Sequence, residues 1–120
     1  MNLLTEKLID CIQAGIEDKK GRDIVIVDMS EITDAICQAF IICTGNSPSH
    51  LQALTDSIEN SAREKLSVRP TAIDGLRGGL WVAMDFGDVI AHIFLAEARE
   101  FYDLEHLWAD AVLTEIPNLD

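Results

Sequence analysis

Basic residues are scarce in this chain. It carries 9 Lys and Arg against 21 Asp and Glu, a formal charge of −12. Nucleic-acid affinity comes mainly from Lys and Arg neutralising phosphates, so direct, sequence-specific binding of RNA or DNA is not expected. Adhesion to an anionic membrane is disfavoured for the same reason. Cysteine is also thin: Cys11, Cys37 and Cys43 are odd in number and form no CxxC pair. Neither a disulfide framework nor a structural zinc site is expected, and a reducing cytosol is the natural compartment. The three read as small, partly buried thiols. No apolar run approaches the ~20 residues that cross a bilayer. The opening "MNLLTEKLIDCIQAGIEDKKG" lacks a basic leader, and acids interrupt its apolar residues, so it reads as a helix rather than a signal peptide.

What is present is an ordinary globular balance, 48% hydrophobic and 25% charged over 120 residues, which suits one domain with its own core. Leu4, Leu8, Cys11, Ile12 and Ile16 form a helical stripe over 3–20, with Gly21 placed just past its end. "DIVIVDM" and "AFIICTG" are β-branched runs of the kind found in strands covered on both faces, joined by a turn or bend. Ser47 is a candidate cap and Pro48 a first-turn residue for a helix of about 18 residues, ~27 Å long. "VRPTAI" reads as an edge strand because Pro70 cannot donate to a ladder. The order α-β-β-α-β-β-β-α predicts an α/β domain over 1–114 with a mixed five-stranded sheet flanked by helices. A short tail at 115–120 is expected to fray.

The last third holds most of the aromatic content. Residues 78–111, "GGLWVAMDFGDVIAHIFLAEAREFYDLEHLWADA", contain both Trp, the single Tyr, three of the four Phe and two of the three His. Gly87 and Asp88 suit a two-residue hairpin turn, which pairs Phe86 with Val89, Ala83 with His92 and Trp81 with Phe94. Leu80, Val82, Met84, Phe86, Val89, Ala91 and Ile93 then share an apolar face. Trp81, Ala83, Asp85, Ile90, His92 and Phe94 share a mixed one. A short helix is expected over Leu104, Leu107, Trp108, Ala111 and Val112, capped by Asp103. From Glu97 to Asp120 seven acids accompany a single base, Arg99, a distribution that would steer a basic protein partner.

Catalytic patterns are weak. "TGNSPSH" lacks the glycine spacing and Lys of a phosphate loop and reads as cap-and-turn chemistry. "DFG" at 85–87 matches a kinase motif only in letters. Asp85 with His92, or with Asp88, has no nearby nucleophile or evident pocket, and His50 and His106 read as solvated. No catalytic residue, metal site or cofactor is expected. Trp81, Asp85, His92, Phe94, Arg99, Tyr102, Glu105 and Trp108 instead resemble an interface, with aromatic and Arg anchors beside selective polar groups. Arg99 alternatively braces the acidic tail, and the Trp108 stripe equally suits packing on the domain's own core.

"DIVIVDMSEIT", "FIICTGNSPSHLQAL" and above all the 78–111 block resemble the Iojap family of bacterial ribosomal silencing factors, over roughly residues 5–112. The resemblance implies a fold similar to nucleotidyltransferases without the catalytic carboxylates, and a homodimer when free. It also implies a non-enzymatic cytoplasmic repressor that binds the large ribosomal subunit through ribosomal protein L-fourteen and sterically blocks joining of the small subunit. Gln38, Ala39 and Ser49 depart from the family's usual pattern. An acidic adaptor for large-subunit assembly and, more remotely, a nucleotidyltransferase-like enzyme are the competing readings.

Overall fold

The structure is a computed structural model that describes residues 1–119. Helix α1 spans Leu3–Asp18, opened by Asn2, whose side-chain oxygen accepts from the Thr5 N–H at 2.8 Å. It ends in a Schellman motif. The Lys20 N–H donates to Glu17 O at 3.1 Å and the Gly21 N–H to Ile16 O at 2.9 Å. The left-handed residue is Lys20 (φ 61°), not Gly21. Gly21 is there for space, since a Cβ on it would sit 2.5 Å from Ile16 Cγ2.

Strands β1 (Arg22–Asp28) and β2 (Ala39–Gly45) follow, antiparallel and joined by the expected turns. Helix α2 (Pro48–Leu66) starts as its sequence predicts: Ser47 Oγ accepts from the His50 N–H, with Pro48 in the first turn. His50 is not merely solvated. Its Nδ1 accepts from the Asn46 N–H at 2.9 Å, so Nε2 carries the proton and donates to Lys19 O at 2.7 Å, tying the end of α1 to the β2–α2 turn.

β3 (Ala72–Asp74), β4 (Trp81–Asp85) and β5 (Val89–Leu95) complete the expected strands. The hairpin register is the one its alternation predicts, with Trp81 opposite Phe94 and Ala83 opposite His92. Gly87 turns at φ 90°, where glycine meets no steric penalty. β2 and β5 are the parallel pair in an otherwise antiparallel sheet, so the sheet is mixed.

The C-terminal third departs from expectation. A short helix, α3 (Ala96–Tyr102), follows β5 directly. The helix expected over 104–112 shrinks to a single 3₁₀ turn at Leu104–His106. Val112–Glu115 then forms β6, antiparallel to β1. The sheet therefore has six strands rather than five, in the order β3-β4-β5-β2-β1-β6. Of the tail expected to fray, Ile116 and Asn118 are held, while Asp120 lies outside the described residues. The Ile116 N–H donates to Ile24 O at 2.9 Å, and Asn118 exchanges hydrogen bonds with Asp23 at 2.7 and 3.1 Å.

Two cores lie on the two faces of this sheet. On one, α1 and α2 bury Ile12, Ile16, Leu54 and Ile58 against Ile41, Cys43, Val82, Met84 and Ile93. On the other, Val27, Phe40, Ile42 and Phe94 are covered by Ala98, Leu104, Trp108 and Ala111 from the C-terminal segment, and by Ile32 and Ala35 from the β1–β2 connection. No helix of the described residues is long and apolar enough to cross a membrane.

Candidate interaction surface

The mixed face of the hairpin is the foundation of the site. Alternation places Trp81, His92 and Phe94 on one side of adjacent strands, and the rings form a connected series. Trp81 stacks on Phe94 with centroids 4.9 Å apart and meets Tyr102 at 4.8 Å. Tyr102 meets Phe101 edge-to-face at 5.1 Å. Inward, His92 lies edge-on to Phe40 at 4.5 Å, and Phe40 meets Trp108 at 5.5 Å. These separations suit favourable aromatic pairing. The series runs from solvent at Phe101, which is 81% exposed, to the core at Phe94, which is 0% exposed.

His92 fixes the orientation of Trp81. The indole Nε1–H donates to His92 Nδ1 at 3.0 Å. An indole can only donate, so Nδ1 is unprotonated and the ring is neutral with its proton on Nε2. Burial lowers the His92 pKa to about 4, which keeps the acceptor available at neutral pH. Nε2 has no hydrogen-bond partner among the described residues.

The covering segment is held by one clamp. Arg99 Nε and Nη2 donate to the Glu105 carboxylate, the shortest contact being 2.7 Å. Its Nη1 donates to Asp23 O at 2.6 Å and to Thr44 Oγ1 at 2.9 Å. Arg99 thus ties α3 to the 3₁₀ turn and to strands β1 and β2. The two side chains are only 12% and 14% exposed, so the pair is largely desolvated.

The eight residues expected at an interface therefore divide. Tyr102 is 53% exposed; Trp81 and Asp85 are half-buried at the surface. Asp85 also accepts the Gly87 N–H at 2.8 Å, holding the hairpin turn. Phe94 and His92 are corrected to core: neither has surface to offer while α3 stays in place. Arg99 and Glu105 take the bracing role rather than facing outward. Trp108 is half-buried against Phe40, on the domain's own second core.

Phe101 is the residue that sequence reasoning missed. It stands on α3, a helix with no buried residue and hence no apolar periodicity to reveal it. The available signal was the paired "FY" itself, set between Glu100 and Asp103. Leu80 (59% exposed) and Leu107 (61% exposed) are further exposed apolar residues contributed by this C-terminal block. The result is an aromatic ridge rimmed by Glu97, Glu100 and Asp103, with no free base of its own because Arg99 is engaged. Such a surface can anchor apolar groups centrally and meet basic groups at its rim.

A family described as "Ribosomal silencing factor during starvation" matches residues 4–120. The chain belongs to the ribosomal silencing factor family. Among its relatives, the ribosomal silencing factor RsfS of Bacillus subtilis is 33% identical over 111 residues, covering 92% of each chain. RsfS of Chromobacterium violaceum is 38% identical over 94 residues, 78% of this chain and 75% of that one. An X-ray structure of a Chromobacterium violaceum protein superposes with a TM-score of 0.81 at 33% identity, covering 91% of this chain and 88% of that one. The ribosomal silencing factor family is one of ribosome-associated regulators rather than known enzymes.

Proposed function

We propose that this protein represses translation by occupying the large ribosomal subunit through ribosomal protein L-fourteen, so that the small subunit is sterically kept from joining. The observation that carries this reading is the exposed Phe101–Tyr102 pair continuing into Trp81, on a chain of charge −12. Ribosomal silencing factor relatives supply the ribosomal context, and a basic ribosomal protein is the complement that such a surface demands. Phe101, Tyr102 and Trp81 are the contacts, with Asp85 meeting basic groups. His92, Phe94, Arg99, Glu105 and Trp108 hold those contacts in place from beneath. The protein acts in the cytoplasm without catalysis or cofactor, and is a homodimer when free.

Sedimentation with separated large and small subunits tests this at low and high salt. The expected result is co-migration with the large subunit alone, weakening as salt rises and lost in Phe101→Ala. Absence of co-migration at low salt rejects the ribosomal reading. Co-migration without any inhibition of subunit joining replaces occlusion by the assembly-adaptor reading.

A further inference from the structure

At the opposite edge of the sheet from β3 and β4 lies β6, and its outer side is open. Ile116 bonds inward to Ile24, and the register sets Thr114 opposite Ile26 and Val112 opposite Asp28. Antiparallel strands alternate inward-bonded with outward-facing residues. Val112 and Thr114 therefore complete the ladder with β1, while the backbone N–H and C=O groups of Leu113 and Glu115 face away from the sheet. Neither residue's N–H meets a protein acceptor among the described residues. Pro117 occupies the next outward position, where it breaks no inward bond and ends the run of outward donors. The open edge thus offers two donors and two acceptors.

Its side chains favour an occupant over water. Val112 is 62% exposed on the helix-covered side and Leu113 is 40% exposed on the aromatic side, so an added strand gains an apolar contact on each face. The strand's own charge is acidic, although Arg99 lies near Glu115 and Lys20 and Arg22 lie near Pro117. Glu115 lies in the strand, Asp110 precedes it, Asp28 stands opposite Val112, and no Lys or Arg occurs after Arg99. A second copy pairing edge to edge would set the Glu115 side chains of the two copies opposite or diagonal to each other on a chain already at −12, which disfavours self-pairing.

We infer that β6 is a docking edge for an extended, basic protein segment, which adds as a seventh strand through the backbone groups of Leu113 and Glu115. This site is separate from the aromatic ridge, so its fate does not depend on the ribosomal reading. A ribosome-bound regulator would then grip its surroundings at both ends of one sheet. Strand addition of this type draws affinity from main-chain hydrogen bonds and specificity from alternate side chains.

Amide hydrogen exchange on the full chain tests the site, using a capped alternating valine–lysine hexapeptide at about 1 mM, where weak pairing becomes measurable. The expected result is at least tenfold slower exchange at Leu113 and Glu115, absent with the matching valine–glutamate peptide. Leu113→Pro, which removes an outward N–H and leaves the inward bonds intact, abolishes the protection. Glu115→Lys weakens it about tenfold even if the proline variant fails to fold. No protection by either peptide overturns the inference, and equal protection by both overturns the basic partner. Concentration-dependent protection without peptide puts a second copy on this edge and overturns it as well.

Discussion

The two faces of the sheet solve the same problem by different means. One is aliphatic and closed by two long capped helices, each with a regular apolar stripe; Ile12, Ile16, Leu54 and Ile58 are all 0% exposed. The other is aromatic and closed by a seven-residue helix, a single 3₁₀ turn and the β1–β2 connection. The first cover is held mainly by apolar area, with Ser57 and Ser61 hydroxyls donating from α2 to the Gly15 and Cys11 carbonyls of α1 and His50 donating to Lys19 O. The second depends on a few directional contacts: the Arg99–Glu105 clamp and the Trp81–His92 hydrogen bond. A face intended only for stability needs no such specificity. A face that, as proposed, presents rings at defined angles to a partner does, because anchors held rigid bind better.

The largest effect that tests this contrast is at the clamp. Arg99→Ala leaves the mostly buried Glu105 carboxylate unpaired, and should cost about 3–5 kcal/mol in urea unfolding. Arg99→Met combined with Glu105→Leu should recover most of that loss. If the single variant costs under about 1 kcal/mol, the second cover does not depend on this pair.

Acid should loosen the aromatic face first. His92 is neutral in the folded protein with its pKa lowered to about 4, against an ordinary 6.5. The unfolded chain therefore binds a proton that the folded chain refuses. Stability falls as pH drops from about 6.5 towards 4 and the loss saturates below that, on the order of 3 kcal/mol. Unfolding curves between these limits should flatten by that amount in His92→Gln. Retention of the full slope in the variant would move the effect to other groups.

Phe101→Ala separates presentation from packing. A side chain 81% exposed contributes little to folding, so stability should change by less than about 0.5 kcal/mol. Large-subunit affinity should fall by about 2 kcal/mol, roughly thirtyfold. The smallest difference is kinetic. Cys43, under the helices, has its thiol pKa pushed up to about 12 by full burial, and Cys37, under the thinner cover, to about 11. Both should resist alkylation at mildly alkaline pH, with Cys37 reacting before Cys43 in a time course read by mass spectrometry.

Legibility in the sequence follows the same division. The hairpin register was readable because alternation and the Gly87–Asp88 turn agree, and a one-residue slip would have turned every apolar side chain to the wrong face. α2 was readable from Ser47, Pro48 and an unbroken apolar period. α3 was not, because "AEAREFY" has no fully buried residue, only the half-buried Ala98 and Arg99, and so carries no apolar stripe. β6 was not, because all four of its residues are exposed and its strand character comes from pairing with β1. Most of the expected interface set lies beneath the surface for a related reason. The mixed face of the hairpin resembles a surface in composition, and nothing local shows that Leu104, Trp108 and Ala111 return to cover Phe94 and His92.

The sequence by itself determined the charge, the two long helices, the hairpin and the crowding of aromatic rings into the last third. Each of these is a property of composition or of neighbours a few residues apart. The tertiary structure alone decided which rings meet solvent, that the one base among seven C-terminal acids is an internal clamp, and that the sheet ends in a sixth strand with an open edge. Exposure and pairing depend on which distant segment lies across a face, and that is settled only when the whole chain packs.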